Sequence, residues 1–363
     1  MSDLILKPTV DVNVQLNILQ QIGEDEGKNS TVFLAQDIQL NENLVLKKIN
    51  KSSLDLSEIG NYFLEAQMLN ECSHPNIMPI RYAGDDADFI YLTMPFFSQG
   101  SLSSLSRDRL LSPLEIISHS LDFLNGLLFL HIKGLLHLDI KPTNILINNS
   151  GRAILTDFGL SKYLNEHGFA KQGKVYISHA TPQAFTQLER TVLDDIYNAG
   201  LTLYRLCCGD TLFYKQFNEL LASGMQPFEF ISKGLFPDRD NFYPHIPKKL
   251  RNVIRKSLSV NLENRYQSVL EMINDLSKVD PFIDCSMNIE GNIYTWIFIS
   301  GKMEFKIQLE CGTNSFKCSG TKRNTETDKT QNISKYNKTF STLDKAYKEL
   351  ETLFKDDLKK QSR

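Results

Sequence analysis

The chain has 363 residues, of which 41% are hydrophobic and 23% charged, and its net charge is −3. These values are typical of a soluble globular protein with two or three structural units, and they neither indicate nor exclude a nucleic-acid partner. The six cysteines lack zinc-ligand spacing, and the most apolar later run, residues 293–299, is too short to span a bilayer. The first residues lack a signal-peptide pattern, so we expect a cytoplasmic protein with free thiols and no membrane segment.

The N-terminal third is predicted to be rich in strands. Residues 1–16 form a leader to which no chemistry is assigned, and the runs that follow are short and rich in Ile, Val and Leu, as expected for strands. The predicted elements are strands over 17–23, 31–37, 44–50 and 89–96, and a helix from about residue 56.

A glycine-containing turn joins the first two strands. It includes Gly23 and Gly27 and is followed by Val32. Backbone amides at such a turn can bind phosphate, although Ser30 is less permissive than a glycine would be. Taken alone, the turn is closer to an ordinary hairpin turn than to a phosphate-binding loop.

The third strand carries two adjacent lysines. Because side chains alternate along a strand, Val45 and Lys47 are predicted to share one face, and Lys48 to point to solvent on the other. Further on, Ser112 and Glu115 form a capping box with proline at the first helical position, which predicts a helix that ends near Gly134.

The densest cluster of functional residue types follows this helix. Within residues 137–144 lie Asp139, Lys141 and Asn144, and Asp157 begins an Asp-Phe-Gly sequence shortly afterwards. Carboxylate and amide oxygens suit Mg²⁺, an ammonium can stabilise a moving phosphoryl group, and a second carboxylate can accept a hydroxyl proton. Apolar runs at 145–147 and 153–155 flank a turn signal and predict a hairpin that connects the two parts.

These residues resemble the catalytic loop and the metal-binding DFG motif of the protein kinase superfamily, and the Lys-Pro-Thr-Asn wording is similar to its serine/threonine branch. The resemblance covers residues 17–278. It implies an α+β, bilobal protein-kinase fold, in which the N-lobe is an antiparallel sheet plus one helix and the C-lobe is mainly helical. The predicted domains are a leader at 1–16, an N-lobe at 17–97, a C-lobe at 98–280 and a small accessory α+β domain at 281–363.

The resemblance also implies the roles of individual residues. Asp139 and Lys141 are the predicted catalytic residues, and Asn144 and Asp157 are the predicted Mg²⁺ ligands. Glu65 is the predicted ion-pair partner of Lys47. The residues predicted to bind or position ATP are Gly23, Gly27, Val32, Val45, Lys47, Glu65, Met94, Phe97 and Leu146.

Several positions depart from the family pattern. Leu138 stands where most regulated kinases have an arginine, and Gln183 replaces a glutamate that normally pairs with an arginine, here Arg265. The Gly-Thr pair of the family is missing from residues 175–179. The match returns at Asp195, which by resemblance braces the backbone of the catalytic loop.

The last part of the chain has a different pattern. Short alternating runs within 285–316 are separated by turns at 291–292 and 300–302, which predicts a hairpin sheet. Residues 321–335 are predicted to form a loose loop, and Ser341 is predicted to cap a final helix.

We therefore expect an ATP- and Mg²⁺-dependent protein kinase that phosphorylates Ser and Thr hydroxyl groups of protein substrates. The alternatives are a small-molecule phosphotransferase, a pseudokinase that acts by binding alone, and a chain whose main activity is partner binding through residues 281–363. Those residues carry 14 Lys and Arg against 11 Asp and Glu, an excess too small to indicate nucleic-acid binding.

Overall fold

The computed structural model describes residues 13–22, 30–53, 73–172, 176–279 and 285–359. The described residues up to 96, except 74–77, form one compact unit, and residues 74–77 together with those from 97 onward form a second. The two units are described separately below as the first unit and the second unit.

The first unit is built on an antiparallel five-stranded sheet with the strand order β1-β2-β3-β5-β4. The predicted strands are confirmed, with ends that shift by one or two residues. The predicted helix from residue 56 and Glu65 lie outside the described residues, as do Gly23 and Gly27. The strands are β1 (Leu16–Ile22), β2 (Ser30–Asp37), β3 (Glu42–Asn50), β4 (Tyr82–Asp85) and β5 (Phe89–Pro95), and a 3₁₀ turn (Lys51–Ser53) follows β3.

The two faces of this sheet differ in burial. Leu44 and Leu46 on β3 are buried with Ala35 of β2, which forms the core of one face. Lys48 was predicted to face solvent, and this prediction is wrong. Its side chain is half-buried, and Nζ lies 3.7 Å from the centre of the Phe89 ring, because an aromatic face attracts the ammonium and the alkyl stem covers apolar surface.

Helices dominate the second unit up to residue 279. The predicted capping box is confirmed, since the Ser112 N–H donates to Glu115 Oε2 at 2.9 Å and the Glu115 N–H to Ser112 Oγ at 3.3 Å. The long third helix is interrupted at Gly209, whose φ of 76° lies in the left-handed region. The helices are α1 (Leu102–Asp108), α2 (Pro113–Ile132), α3 (Val192–Ala222), α4 (Pro227–Ser232), α5 (Lys248–Ser257) and α6 (Val269–Leu276).

Short strands and turns connect these helices. The predicted hairpin is confirmed, with Ile145 paired to Leu155 and Ile147 to Ala153. The strands are β6 (Leu135–Leu136), β7 (Ile145–Ile147), β8 (Ala153–Leu155), β9 (Lys162–Tyr163), β10 (Ala170–Lys171) and β11 (Glu189–Arg190). The 3₁₀ turns are Pro142–Asn144, Ile177–His179, Pro182–Phe185 and Leu262–Asn264.

The C-terminal part forms a six-stranded antiparallel sheet with one helix. The predicted hairpin turns are confirmed, and Gly291 and Gly301 both have positive φ there. The prediction of a loop over 321–335 is wrong in part: residues 321–324 and 330–332 are strand, because backbone pairing rather than apolar side chains holds this polar edge. The elements are β12 (Cys285–Glu290), β13 (Ile293–Ser300), β14 (Met303–Cys311), β15 (Phe316–Asn324), β16 (Thr330–Asn332), a 3₁₀ turn (Ser334–Tyr336), β17 (Lys338–Phe340) and α7 (Leu343–Lys359).

Helix α7 covers one face of this sheet. Its cap is Thr342, whose Oγ1 accepts from the Lys345 N–H at 3.3 Å, so the prediction of Ser341 as the capping residue is wrong by one position. On the sheet side, Phe354 of the helix contacts the rings of Trp296 and Phe298. The α+β class predicted from the sequence is confirmed.

The C-terminal sheet is packed against helix α5 and the segment that precedes it. Trp296 Nε1 donates to His245 Nδ1 at 3.1 Å, and both side chains are buried. Arg251 Nη1 contacts Glu351 Oε2 at 3.4 Å, and Tyr243 contacts the ring of Tyr347. An aromatic and ionic interface therefore joins residues 285–359 to the helices of the second unit.

None of the helices within the described ranges has the length and apolar character needed to cross a membrane. The cysteines at positions 207, 208, 311 and 318 are free thiols, as predicted.

Candidate active site

A buried aspartate holds the backbone of the loop that contains Asp139. Asp195 at the start of α3 is fully buried, and its carboxylate accepts the His137 N–H at 2.9 Å and the Leu138 N–H at 2.7 Å. His131 Nε2 lies 2.8 Å from the same carboxylate. The predicted bracing of this loop by Asp195 is confirmed, and the charged acceptor makes these bonds stronger than neutral ones.

This bracing sustains an unfavourable backbone conformation. Leu138 has a φ of 65°, which costs a residue with a branched side chain about 1–2 kcal/mol. Its side chain is buried beside Leu136 and Ala170. The turn at Leu138 determines the direction in which the next residue, Asp139, leaves the loop.

Asp139 lies at the centre of a polar cluster. Its Oδ2 atom is 2.9 Å from Lys141 Nζ and accepts from Asn144 Nδ2 at 2.8 Å. The same Nδ2 atom also donates to the Asp139 carbonyl at 3.0 Å. Asp139 is only 8% exposed and Asn144 2%, so the cluster is largely shielded from water. The structure therefore brings three of the predicted site residues together.

The Asn144 side chain has one end left for a ligand. Its amide nitrogen donates to Asp139, whereas within the described ranges Oδ1 has only a long 3.4 Å contact with the Thr143 hydroxyl. Among the residues that the structure describes, no group of three or more His, Cys, Asp or Glu residues could hold a metal. Mg²⁺ does not need such a group, since one or two side-chain oxygens plus substrate phosphates suffice. The donor set at Asn144 and Asp157 thus fits Mg²⁺.

Backbone contacts link Asn144 to the segment that carries Asp157. The Thr156 N–H donates to the Asn144 carbonyl at 3.0 Å, and Asp157 itself has a φ of 61°. His137 supports the same segment: its Nε2 atom lies 3.1 Å from the Thr156 carbonyl and its ring contacts that of Phe158. The sequence motifs assign no role to His137 or Thr156.

Four of the residues predicted to bind ATP lie on one face of the sheet in the first unit. Val32 is the cross-strand partner of Lys47, and Val45 is the partner of Met94. Directly paired residues point to the same side, and Val45 and Lys47 alternate onto one face. The predicted shared face of Val45 and Lys47 is confirmed.

The remaining ATP-binding predictions fall in the second unit or outside the described residues. Phe97 accepts a backbone hydrogen bond from Gly100 at 3.3 Å, and Gly100 in turn accepts one from Ile147 at 2.8 Å, next to Leu146 on β7. The loop that begins at Phe97 is thereby fixed to the hairpin that bears Leu146.

Gln183, which stands in place of the family's glutamate, contacts Arg265. Gln183 Oε1 accepts from Arg265 Nη2 at 3.2 Å, and its Nε2 donates to the Val260 carbonyl at 3.0 Å. Burial lowers the pKa of the Arg265 guanidinium to about 10. A neutral amide thus stands beside a buried cation, which is held mainly by the Leu193 and Ser259 carbonyls.

Tyr176 is a neighbour of the cluster, and the sequence motifs do not assign it to the site. The Lys141 Nζ atom lies 5.1 Å from the centre of the Tyr176 ring. In the sequence, the one feature that marks this position is that residues 175–179 lack the family's Gly-Thr pair. Sequence spacing does not predict that an aromatic ring at position 176 lies near Lys141.

Comparison with known proteins supports the family suggested by these motifs. A family model described as the protein kinase domain matches residues 16–276. The chain therefore belongs to the protein kinase family.

Curated relatives share this region. The chain is 30% identical over 294 residues to the serine/threonine-protein kinase PknD of Protochlamydia amoebophila, which covers 71% of this chain and 29% of that protein. It is 28% identical to the probable serine/threonine-protein kinase PknB of Lactococcus lactis, over 72% of this chain and 41% of that protein. It is 26% identical to the serine/threonine-protein kinase PrkC of Bacillus subtilis, over 73% of this chain and 40% of that protein. The matched region thus spans well under half the length of these relatives.

Proposed function

We propose that the chain is a serine/threonine protein kinase that transfers the γ-phosphate of ATP to hydroxyl groups of protein substrates. These substrates include the chain itself, through autophosphorylation. The observation that carries this proposal is the Asp139 carboxylate, which contacts the Lys141 ammonium at 2.9 Å and the Asn144 amide at 2.8 Å. Membership of the protein kinase family and the names of the relatives support the choice of reaction and acceptor.

Asp139 is proposed to position the acceptor hydroxyl group and to accept its proton. The carboxylate is oriented by Asn144 and by the loop that Asp195 holds, so little reorganisation is needed when the hydroxyl arrives. Lys141 is proposed to place its positive charge near the phosphoryl group during transfer. Its contact with Asp139 keeps the cation and the base side by side.

Asn144 and Asp157 are proposed to hold Mg²⁺ through side-chain oxygens. When bound, ATP supplies the phosphoryl group and Mg²⁺ offsets the charge of its phosphates. From the first unit, Lys47 is proposed to bind the phosphates, and Val32, Val45 and Met94 to contact the base. Gly23, Gly27 and Glu65 outside the described residues, and Phe97 and Leu146, complete the proposed nucleotide-binding set.

A pseudokinase is the less favoured alternative, because Asp139, Lys141 and Asn144 form a connected cluster rather than a degraded one. A small-molecule phosphotransferase is less favoured because the relatives are named as protein kinases. The cytoplasmic location of the chain and a protein partner for residues 281–363 remain predictions.

The proposal is tested by incubating the full chain with labelled ATP, Mg²⁺ and a generic protein substrate. Asp139→Asn should reduce the transfer rate by at least about a hundredfold, and Asp157→Ala should abolish its Mg²⁺ dependence along with most activity. Asp240→Asn is the control, since that side chain is 87% exposed. Label on a small metabolite only, or equal rates for Asp139→Asn and wild type, would reject the proposed function.

A further inference from the structure

Tyr176 presents an aromatic face to the proposed catalytic lysine. The Lys141 Nζ atom lies 5.1 Å from the ring centre, within the range of a cation–π contact. Tyr176 is itself 55% exposed, so the ring is not required to fill the core. A large aromatic residue that is exposed and contacts an ammonium group is a candidate for a role in the site.

The Tyr176 ring packs against a buried histidine, His179. The Tyr176 and His179 rings are 5.8 Å apart and tilted by 41°, and His179 also contacts Phe213. Arg205 Nη1 lies 2.9 Å from His179 Nε2. Because a guanidinium can only donate, Nε2 must accept, and the proton of the neutral ring resides on Nδ1, which faces the Ser178 hydroxyl at 3.3 Å.

Charge around His179 maintains this arrangement. Burial, with the nearby cations Arg205 and Lys141, holds the pKa of His179 well below its usual value, so the ring stays neutral. Arg205 is in turn fixed by Asp210, whose Oδ1 accepts from its Nε at 2.8 Å. A continuous series of contacts therefore runs from helix α3 through His179 and Tyr176 to Lys141.

The Lys141 side chain is flexible, so its ammonium group stays in one position only if neighbouring residues contact it. Its side chain is 21% exposed and ends in a mobile ammonium on a four-carbon stem. On one side the ammonium contacts Asp139, and the Tyr176 ring forms a wall on another side. We propose that Tyr176 is a positioning residue that keeps the Lys141 ammonium beside Asp139 through its ring face. This inference rests on the proposed kinase function and extends it to a residue outside the family motifs.

The ring, and not the hydroxyl group, is the feature that the test isolates. Tyr176→Leu should lower kcat by about two- to fivefold, the effect expected from one exposed cation–π contact, and should leave the KM for ATP unchanged. Tyr176→Phe retains the ring and should restore kcat to the wild-type value. Equal kcat values for Tyr176→Leu and Tyr176→Phe would overturn the proposal.

A double-mutant cycle separates direct coupling to Lys141 from a general structural effect. In a Lys141→Met background, Tyr176→Leu should cause no further loss of the residual rate, because the ammonium that the ring positions is gone. An undiminished loss in that background would mean that Tyr176 acts on something other than Lys141.

A spectroscopic measurement makes the inference independent of activity. In protein labelled with ¹³Cε-lysine, the Lys141 resonance, assigned by its absence in Lys141→Met, should show a ring-current shift that Tyr176→Leu removes and Tyr176→Phe retains. If the wild type transfers no phosphate but this shift is present, the proposed function fails and the contact stands. If the shift is absent, the inference fails whatever the activity.

Discussion

The Asp195 carboxylate accepts the Leu138 N–H at 2.7 Å, at a residue whose φ of 65° places it in the left-handed region. The buried carboxylate of Asp195 thus stabilises the unfavourable backbone conformation of Leu138, which lies 57 positions away in the sequence. The aspartate stabilises a turn that a leucine would otherwise avoid, and this turn orients Asp139.

Asp195→Asn should therefore impair both folding and transfer. An amide can accept one of the two backbone N–H groups but presents its own N–H groups to the other, which leaves a buried donor unsatisfied. We expect the free energy of unfolding to fall by about 2–4 kcal/mol, measured by urea denaturation, and the transfer rate to fall with it. Asp240→Asn, at an exposed position, should change neither. Unchanged stability of Asp195→Asn would show that the loop does not depend on this carboxylate.

The adjacent lysines of β3 provide a matched pair of variants. Lys47→Met should raise the KM for ATP or abolish transfer, because it removes the cation proposed to bind phosphate. Lys48→Met removes the contact with Phe89 and an electrostatic attraction to Asp86, so it should cost about 1 kcal/mol of stability and leave the KM for ATP unchanged. Steady-state kinetics of both variants decide the assignment, and the reverse pattern would transfer the role to Lys48.

Gln183→Glu should stabilise the second unit. A carboxylate turns the existing hydrogen bond from the buried Arg265 into an ion pair and strengthens it by about 1–3 kcal/mol, at the expense of the neutral bond to the Val260 carbonyl, worth about 0.5–1.5 kcal/mol. The expected net gain is about 1 kcal/mol in the free energy of unfolding. Gln187→Glu adds the same charge at an exposed position and is the control. A loss of stability in Gln183→Glu alone would show that the Val260 contact matters more.

Trp296→Phe should weaken the attachment of the C-terminal sheet. The substitution removes the donor to His245 and leaves a buried nitrogen unsatisfied, so the free energy of unfolding should fall by about 1–3 kcal/mol. Thr295→Val alters the neighbouring residue, on the opposite face of the same strand, and serves as the comparison. A separate early transition in the thermal unfolding of Trp296→Phe would indicate that the C-terminal sheet detaches before the helices unfold.

The same interface should be sensitive to acid. Burial, with Arg251 nearby, lowers the pKa of His245 from 6.5 to about 3. Above pH 6.5 the imidazole is neutral in both states. Below pH 6.5, His245 is protonated in the unfolded chain but stays neutral in the folded chain. The free energy of unfolding should therefore decrease from about pH 6.5 toward about pH 3.

His245→Asn keeps an acceptor for Trp296 and removes the titrating group. Its unfolding free energy, measured by denaturant titration at several pH values, should therefore depend less on pH than that of the wild type over this interval. Parallel curves for the two proteins would contradict the assignment to His245.

Local features of the chain were predictable because their physical causes lie within a few residues. The capping box at Ser112, the hairpin that ends at Leu155 and the turn at Gly291 depend on neighbouring side chains and on turn geometry. The prediction of a loop at 321–335 failed in part because polar residues at a sheet edge are held by backbone pairing. Such residues show no apolar alternation from which a strand could be predicted.

For this protein, the sequence alone determined the family and the residue types of the site, since spacing along a loop carries the chemistry of Asp139, Lys141 and Asn144. Only the tertiary structure decided what supports them: the Asp195 carboxylate, the Tyr176 ring and the interface around Trp296. These contacts join residues that are distant in sequence, and their geometry depends on how helices and sheets pack. No local pattern contains that information, because packing directions are settled only when the whole core is assembled.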